Sequence, residues 1–121
     1  MVQAVRIHRT GGPEVLVLED VELDAPGPGM VTVANRAIGL NFIDTYHRSG
    51  LYPLPLPTGI GLEGAGVVQA VGEGVELRAG ERVAYCSAGF GAYAQALNLP
   101  ASRLVNIPEG IDFEQAAACL L

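Results

Sequence analysis

The side chains best able to do chemistry crowd into one stretch, Ile38 to Gly66, which reads IGLNFIDTYHRSGLYPLPLPTGIGLEGAG. It holds Asn41, Asp44, Tyr46, His47, Arg48, Tyr52 and Glu63, whereas the remaining chain is mostly Val, Ala, Leu and Gly in short apolar runs. Asn41, Tyr46 and Tyr52 are the strongest candidates. An amide and two phenols can hydrogen-bond a polar ligand while the two rings form a flat apolar wall. The same residues serve equally as the aromatic face of a small, partly buried helix, and residue types alone do not choose between the two readings.

Other chemistries fit less well. A metal site needs several His, Cys or carboxylate groups converging. His8 lies in or beside the first strand and His47 on a helix, with no Cys near either, so both read as surface or packed histidines and no metal ligand is assigned. No G-x-S-x-G elbow exists, which argues against a hydrolase. Glu19 and Asp20 read as solvated surface. Gly59-Ile60-Gly61-Leu62-Glu63-Gly64 matches G-x-G-x-x-G, but a dinucleotide loop must follow a strand and open a helix. This one follows a proline-rich connector and leads into the strand-like Val67–Val71. It reads as a glycine-rich start of a strand where backbones approach closely. Gly89-Phe90-Gly91-Ala92-Tyr93-Ala94 fits a looser form and fails in the same way.

The elements around the stretch are short. Asn41 to Ser49 reads as a helix of about two turns. Asn41 can cap it, Asp44 sits near the positive end of its dipole, and Gly50 is a natural stop. Ile43, Tyr46 and His47 share one face at i, i+3 and i+4. Pro53, Pro55 and Pro57 favour a stiff extended connector. Strands are expected at Val2–Ile7, Met30–Ile38, Val67–Val71, Arg82–Tyr85, Ala92–Leu97 and Leu104–Ile107, with further apolar runs at Val15–Leu18 and Val21–Leu23. Glycine and proline turns separate them, which points to a small antiparallel or mixed barrel. Asp112 and Gln115 make a capping box, and a helix is expected to run from there through Ala116–Ala118 to Leu121. The chain then stops inside an apolar helix, so it reads as truncated.

Bulk properties set limits. At 121 residues the chain is one domain with room for one core. Half of it is hydrophobic, which excludes disorder. The net charge is −6 and the seven Lys and Arg are scattered, so neither nucleic acid nor an anionic membrane is an expected partner. No apolar run approaches the ~20 residues of a spanning helix, and no signal peptide is visible at the N-terminus. Cys86 and Cys119 lie far apart and read as two small apolar residues in a reducing cytoplasm.

Five segments in order, AIGLNFIDTYHRSGLYP, GLEGAGVVQAVGEGV, AGERVAY, GAYAQ and IPEGIDFEQAAA, resemble the medium-chain dehydrogenase/reductase superfamily. The match is strongest with its quinone oxidoreductase branch, the NADPH:quinone reductases related to zeta-crystallin, and NFIDTYHRSGLYP is its most specific piece. The resemblance covers essentially the whole chain. It implies a mainly β (α+β) fold: a GroES-like, partly open β-barrel with a short helix after strand Met30–Ile38 and a truncated C-terminal helix. Residues 1–111 would be the catalytic domain, incomplete because the family's last strands return from the C-terminus. Residues 112–121 would start the helix leading to an absent Rossmann domain that carries most of the NADPH site. Such a chain would expose strand edges and would be inactive by itself.

The resemblance also implies roles. Asn41, Phe42, Ile43, Asp44, Thr45 and Tyr46 would line the nicotinamide and its ribose. Tyr46 and Tyr52 would wall a quinone pocket, and either could donate to the developing oxyanion. Zinc alcohol dehydrogenases place a cysteine where this chain has Asn41 and a histidine where it has Leu62; Glu63 remains, and the cysteine-rich zinc lobe is missing after Ala92. A zinc-independent reduction of a quinone by NADPH is therefore the implied activity, in a cytoplasmic homodimer. Two alternatives stand beside it: an enoyl or alkenal C=C reductase of the same superfamily, and a non-enzymatic GroES-like module that binds a partner.

Overall fold

Val, Ile and Ala at alternate positions suit a half-buried pleated surface, and the chain uses them so. In the computed structural model, which describes residues 1–121, the strands β1 (Val2–Ile7), β2 (Val17–Val21) and β3 (Met30–Gly39) come first. Helix α1 (Phe42–Ser49) follows, then β4 (Thr58–Gly59), β5 (Glu63–Val71), β6 (Arg82–Cys86), β7 (Ala96–Pro100) and β8 (Leu104–Asn106), and the chain ends with a single helical turn, α2 (Phe113–Ala116).

All strand pairs are antiparallel. Three strands form one sheet in the order β2-β1-β4, and five form another in the order β7-β3-β5-β6-β8. The sheets are stitched together by Ala92–Gln95. Val5 N–H donates to Tyr93 O at 2.7 Å and Gln95 N–H to Gln3 O at 2.9 Å, beside an isolated bridge from Ala4 to Ala94. The result is a mainly β, partly open barrel, as expected. Its core is Val31, Val33, Val68, Val83, Tyr85, Leu97 and Leu99. Bulges in the β3–β5 ladder after Thr32 and after Asn35 add twist there.

Several expected boundaries shift, each for a visible reason. Val15–Leu18 and Val21–Leu23 are not two strands: Val15 lies buried in a 3₁₀ turn, and one strand, β2, follows. β5 begins at Glu63, not Val67, because its glycines are needed where strands crowd. A Cβ on Gly66 would collide with the Ala34 carbonyl, and one on Gly64 with the Tyr85 phenol. The expected strand Ala92–Leu97 is displaced to Ala96–Pro100. Before it, the Ala92 and Ala94 carbonyls accept from Asn35 Nδ2 at 3.1 and 2.9 Å, so side chain replaces ladder. Leu104–Ile107 ends one residue early, at Asn106.

The C-terminal helix is the largest departure. The capping box at Asp112 forms, with Gln115 N–H donating to Asp112 Oδ1 at 2.7 Å and Asp112 N–H to Gln115 Oε1 at 3.2 Å. The helix nevertheless stops at Ala116 instead of running to Leu121. Ala118 N–H turns back to Gln115 O, and the amides of Leu120 and Leu121 leave the helical register to meet Glu63.

Candidate functional site

Asn41 has extended backbone angles and stands before α1 as its cap. Its N–H donates to Asp44 Oδ2 at 3.1 Å, so the carboxylate sits over the first turn, where the helix dipole favours it. Gly50 ends the helix in the left-handed region, φ 88°, where glycine carries no Cβ penalty.

The helix buries only His47 of the face that spacing suggests. Ile43 and Tyr46 are only half-buried, while Asp44 and His47 are fully buried. The reason lies across the barrel. Tyr93 donates its phenol to Asp44 Oδ2 at 2.5 Å, and Gly61, at φ 99°, leaves room for the Tyr93 ring. Burial, followed by the adjacent Asp44 carboxylate, pushes the Tyr93 phenol well above the usual tyrosine range. Asp44 Oδ1 and His47 Nδ1 are buried without a protein partner, a rare condition for polar atoms inside a protein.

Aromatic rings cover the outer side of α1. Phe42 meets Tyr46 edge-on at 5.5 Å between centroids, and Tyr46 meets Tyr52 at 5.2 Å. His47 stands 6.2 Å from Tyr52 and 5.0 Å from Phe90, which reaches over from the turn after β6. Phe42, Tyr52 and Phe90 are exposed. Neither the Tyr46 nor the Tyr52 phenol hydrogen-bonds to any protein group, so both are free donors beside the wall. A cavity of about 360 Å³ opens next to it between Leu16, Leu40, Phe42, Ile60, Asp44 and Tyr93. A larger one of about 560 Å³ lies between β1 and β3 and shares Leu40 and Tyr93 with it, but it is not lined by Asn41, Phe42 or Asp44.

The structure thus brings Asn41, Phe42, Asp44, Thr45, Tyr46 and Tyr52 together on one face of the barrel. Ile43, Tyr46 and Tyr52 do not line the cavity beside the wall, whereas Asn41, Phe42, Asp44 and Thr45 do. Thr45 spends its hydroxyl on Phe42 O at 2.6 Å, which makes it a helix residue first. Sequence reasoning missed Tyr93 and Phe90, which come from Gly89–Ala94; the glycine spacing there drew attention only as a failed phosphate loop. It also gave Glu63 no role, yet Asn41 Nδ2 donates to Glu63 Oε1 at 2.9 Å. Leu62 is buried apolar packing, and no three His, Cys, Asp or Glu side chains converge anywhere. No helix is long and apolar enough to cross a membrane.

Comparison with known proteins gives concordant results. Residues 27–109 match the alcohol dehydrogenase GroES-like domain family. The chain is 54% identical to a quinone oxidoreductase of Pseudomonas aeruginosa, a match covering all of this chain and 38% of that protein. A 2-haloacrylate reductase of Burkholderia is 46% identical over 94% of the chain and 36% of its own length. The crystal structure of Escherichia coli quinone oxidoreductase complexed with NADPH superposes with a TM-score of 0.95 at 47% identity, covering 98% of this chain and 37% of that one. The chain therefore spans under two-fifths of the length of the relatives it matches.

Proposed function

The chain belongs to the alcohol dehydrogenase GroES-like domain family, and from that premise we propose that it is the substrate-facing N-terminal domain of an NADPH-dependent quinone oxidoreductase. Residues 1–111 are the barrel domain, and 112–121 begin the connection to a cofactor-binding domain. The observation that carries this reading is the wall of rings packed edge-on, with two unpartnered phenols, next to Asn41. A quinone is flat, apolar on its faces and hydrogen-bond accepting at two edges, and this wall has the matching chemistry. The identity to quinone oxidoreductases supports the same substrate class.

Bound NADPH supplies a hydride to the acceptor. The residues of this chain suit its nicotinamide end: Asn41 to Tyr46 present a half-exposed helix edge with an amide and two rings. Tyr46 and Tyr52 hold the quinone ring against the wall. Either phenol can donate to the oxygen on which negative charge develops, which is where a preorganised donor lowers a barrier most.

The donor set does not suit zinc. Asn41 is engaged with Glu63, Leu62 has no ligand atom, and both Glu63 oxygens already accept N–H donors. We therefore take the reduction to be metal-independent. Two free cysteines suit a cytoplasmic setting, and a homodimer formed through the cofactor domain completes the proposal.

A second reading, reduction of an activated C=C bond, is favoured by the 2-haloacrylate reductase relative. Following NADPH oxidation by the full-length protein with benzoquinone and with a haloacrylate separates the two. Faster turnover of the quinone is expected. Preference for the haloacrylate would move the assignment to C=C reduction, and turnover of neither would leave the partner-binding module.

A further inference from the structure

The barrel buries two carboxylates that pair with no cation, Asp44 and Glu63, and Glu63 is the deeper. Glu63 opens β5, opposite Gly39 of β3 and Cys86 of β6, and is only 1% exposed. Isolated carboxylates are costly inside proteins, so its partners matter. Oε1 accepts from Asn41 Nδ2 at 2.9 Å, and Oε2 accepts from the backbone N–H groups of Leu120 at 2.8 Å and Leu121 at 3.2 Å. All three donors belong to segments outside its own sheet: one caps α1, and two follow α2.

A second observation shows that space is kept for this arrangement. A Cβ on Gly39 would stand 2.5 Å from Ala117 O and 2.7 Å from Glu63 Oε1. Only glycine lets β3 approach both the carboxylate and the end of α2 so closely.

We propose that Glu63 is a positioning residue for the reaction, tying the cap of α1 to the backbone beyond α2 and setting which way round the Asn41 amide sits. The inference rests on the quinone oxidoreductase reading and names a residue that acts through Asn41 without touching substrate. Glu63 offers only acceptors, so it draws Nδ2 of Asn41 inward and leaves Oδ1 as the amide atom it does not hold, on a residue that lines the cavity beside α1. The same carboxylate holds the Leu120 and Leu121 amides, so the cap of α1 and the segment after α2 share one anchor.

The conservative variant tests the orientation. In Glu63→Gln one oxygen can still serve Leu120 and Leu121, but the new Nε2 donor faces Asn41 and requires its amide to turn over. NADPH binding to the full-length protein, read by quenching of its fluorescence, is then expected to weaken roughly tenfold, one good hydrogen bond's worth, with little change in Tm. Glu63→Ala is expected to lower Tm as well. Hydrogen exchange on the full-length wild type reads the tie directly: the Leu120 and Leu121 amides should be protected, and should lose that protection in Glu63→Ala. Unprotected amides in the wild type overturn the proposal, even if Glu63→Gln fails to fold. NADPH affinity unchanged in a folded Glu63→Gln also overturns it. Neither readout needs an acceptor, so failure of the quinone reading, seen as no quinone turnover, remains distinguishable from failure of this one.

Discussion

Two tyrosines, Tyr85 buried and Tyr93 half-buried, divide the molecule. Tyr85, in the barrel core, donates to the neutral Asn35 Oδ1 at 2.9 Å, and Asn35 in turn closes two carbonyls of the neighbouring segment. Tyr93, at the corner where α1 meets the barrel, donates to the Asp44 carboxylate at 2.5 Å. Burial raises both phenols above their ordinary range; Asn35 partly offsets this at Tyr85, whereas Asp44 adds to it at Tyr93. Around Tyr85 every polar group finds a partner and the rest is Val and Leu. Around Tyr93 two buried polar atoms have none, and exposed rings stand alongside. The packed core satisfies its polar groups; the corner leaves hydrogen-bonding capacity unused, and that is where the proposed ligand site lies.

Substitutions can break this contrast, and the strongest effects belong to the core. Gly66→Ala places a methyl group against the Ala34 backbone, which cannot yield as a side chain would. A loss of roughly 3 kcal/mol or more is expected in urea unfolding. Val83→Ala, at a fully buried position, should cost roughly 2 kcal/mol from lost burial and the cavity left behind. Neither change touches the rings or Asn41.

Corner substitutions should cost less stability and change more chemistry. Asp44→Asn weakens the acceptor shared by Tyr93 and the Asn41 N–H, and roughly 1.5 kcal/mol is expected. In the same variant the Tyr93 phenol should titrate nearer its ordinary value while Tyr85 stays where it was. Ultraviolet phenolate titration with Tyr93→Phe as the assignment control checks this. The sign of the pH effect follows from the raised folded values. The unfolded phenols release their protons near pH 10 and the folded ones only above that. Stability is thus fully present below pH 10 and declines as the pH rises beyond it, and Tyr93→Phe should make that decline shallower.

The smallest stability change is expected at the exposed wall. Tyr52→Phe should shift unfolding by less than about 0.5 kcal/mol, because its phenol has no protein partner. If Tyr52 is the donor to the quinone oxygen, the turnover of the full-length protein falls at least tenfold. An unchanged rate removes Tyr52 from that role and leaves Tyr46.

The helix over Asn41–Ser49 and its glycine stop were legible because caps and stops act within a few residues. The same holds for the Asp112 capping box. Strand existence was legible from alternation, but the ends of β5 and β7 were not. Those depend on which backbone lies opposite Gly64 and Gly66, and on Asn35 capturing carbonyls far along the chain. The burial of Asp44 has the same origin: spacing marks Ile43, Tyr46 and His47, of which only His47 is buried, and only the presence of Tyr93 makes burial of Asp44 favourable.

Local order therefore determined what this chain is made of: short β-branched strands, one two-turn helix, glycine turns, and a cluster of amide and phenol groups in Asn41–Tyr52. Tertiary structure alone decided that Phe90 and Tyr93 join that cluster, that Glu63 holds Asn41, and that the chain leaves its last helix after Ala116. The reason is one of range. Propensity, capping and alternation are set by residues a turn or two apart, whereas a buried acceptor takes its donors from whichever distant segments the barrel brings within hydrogen-bond reach.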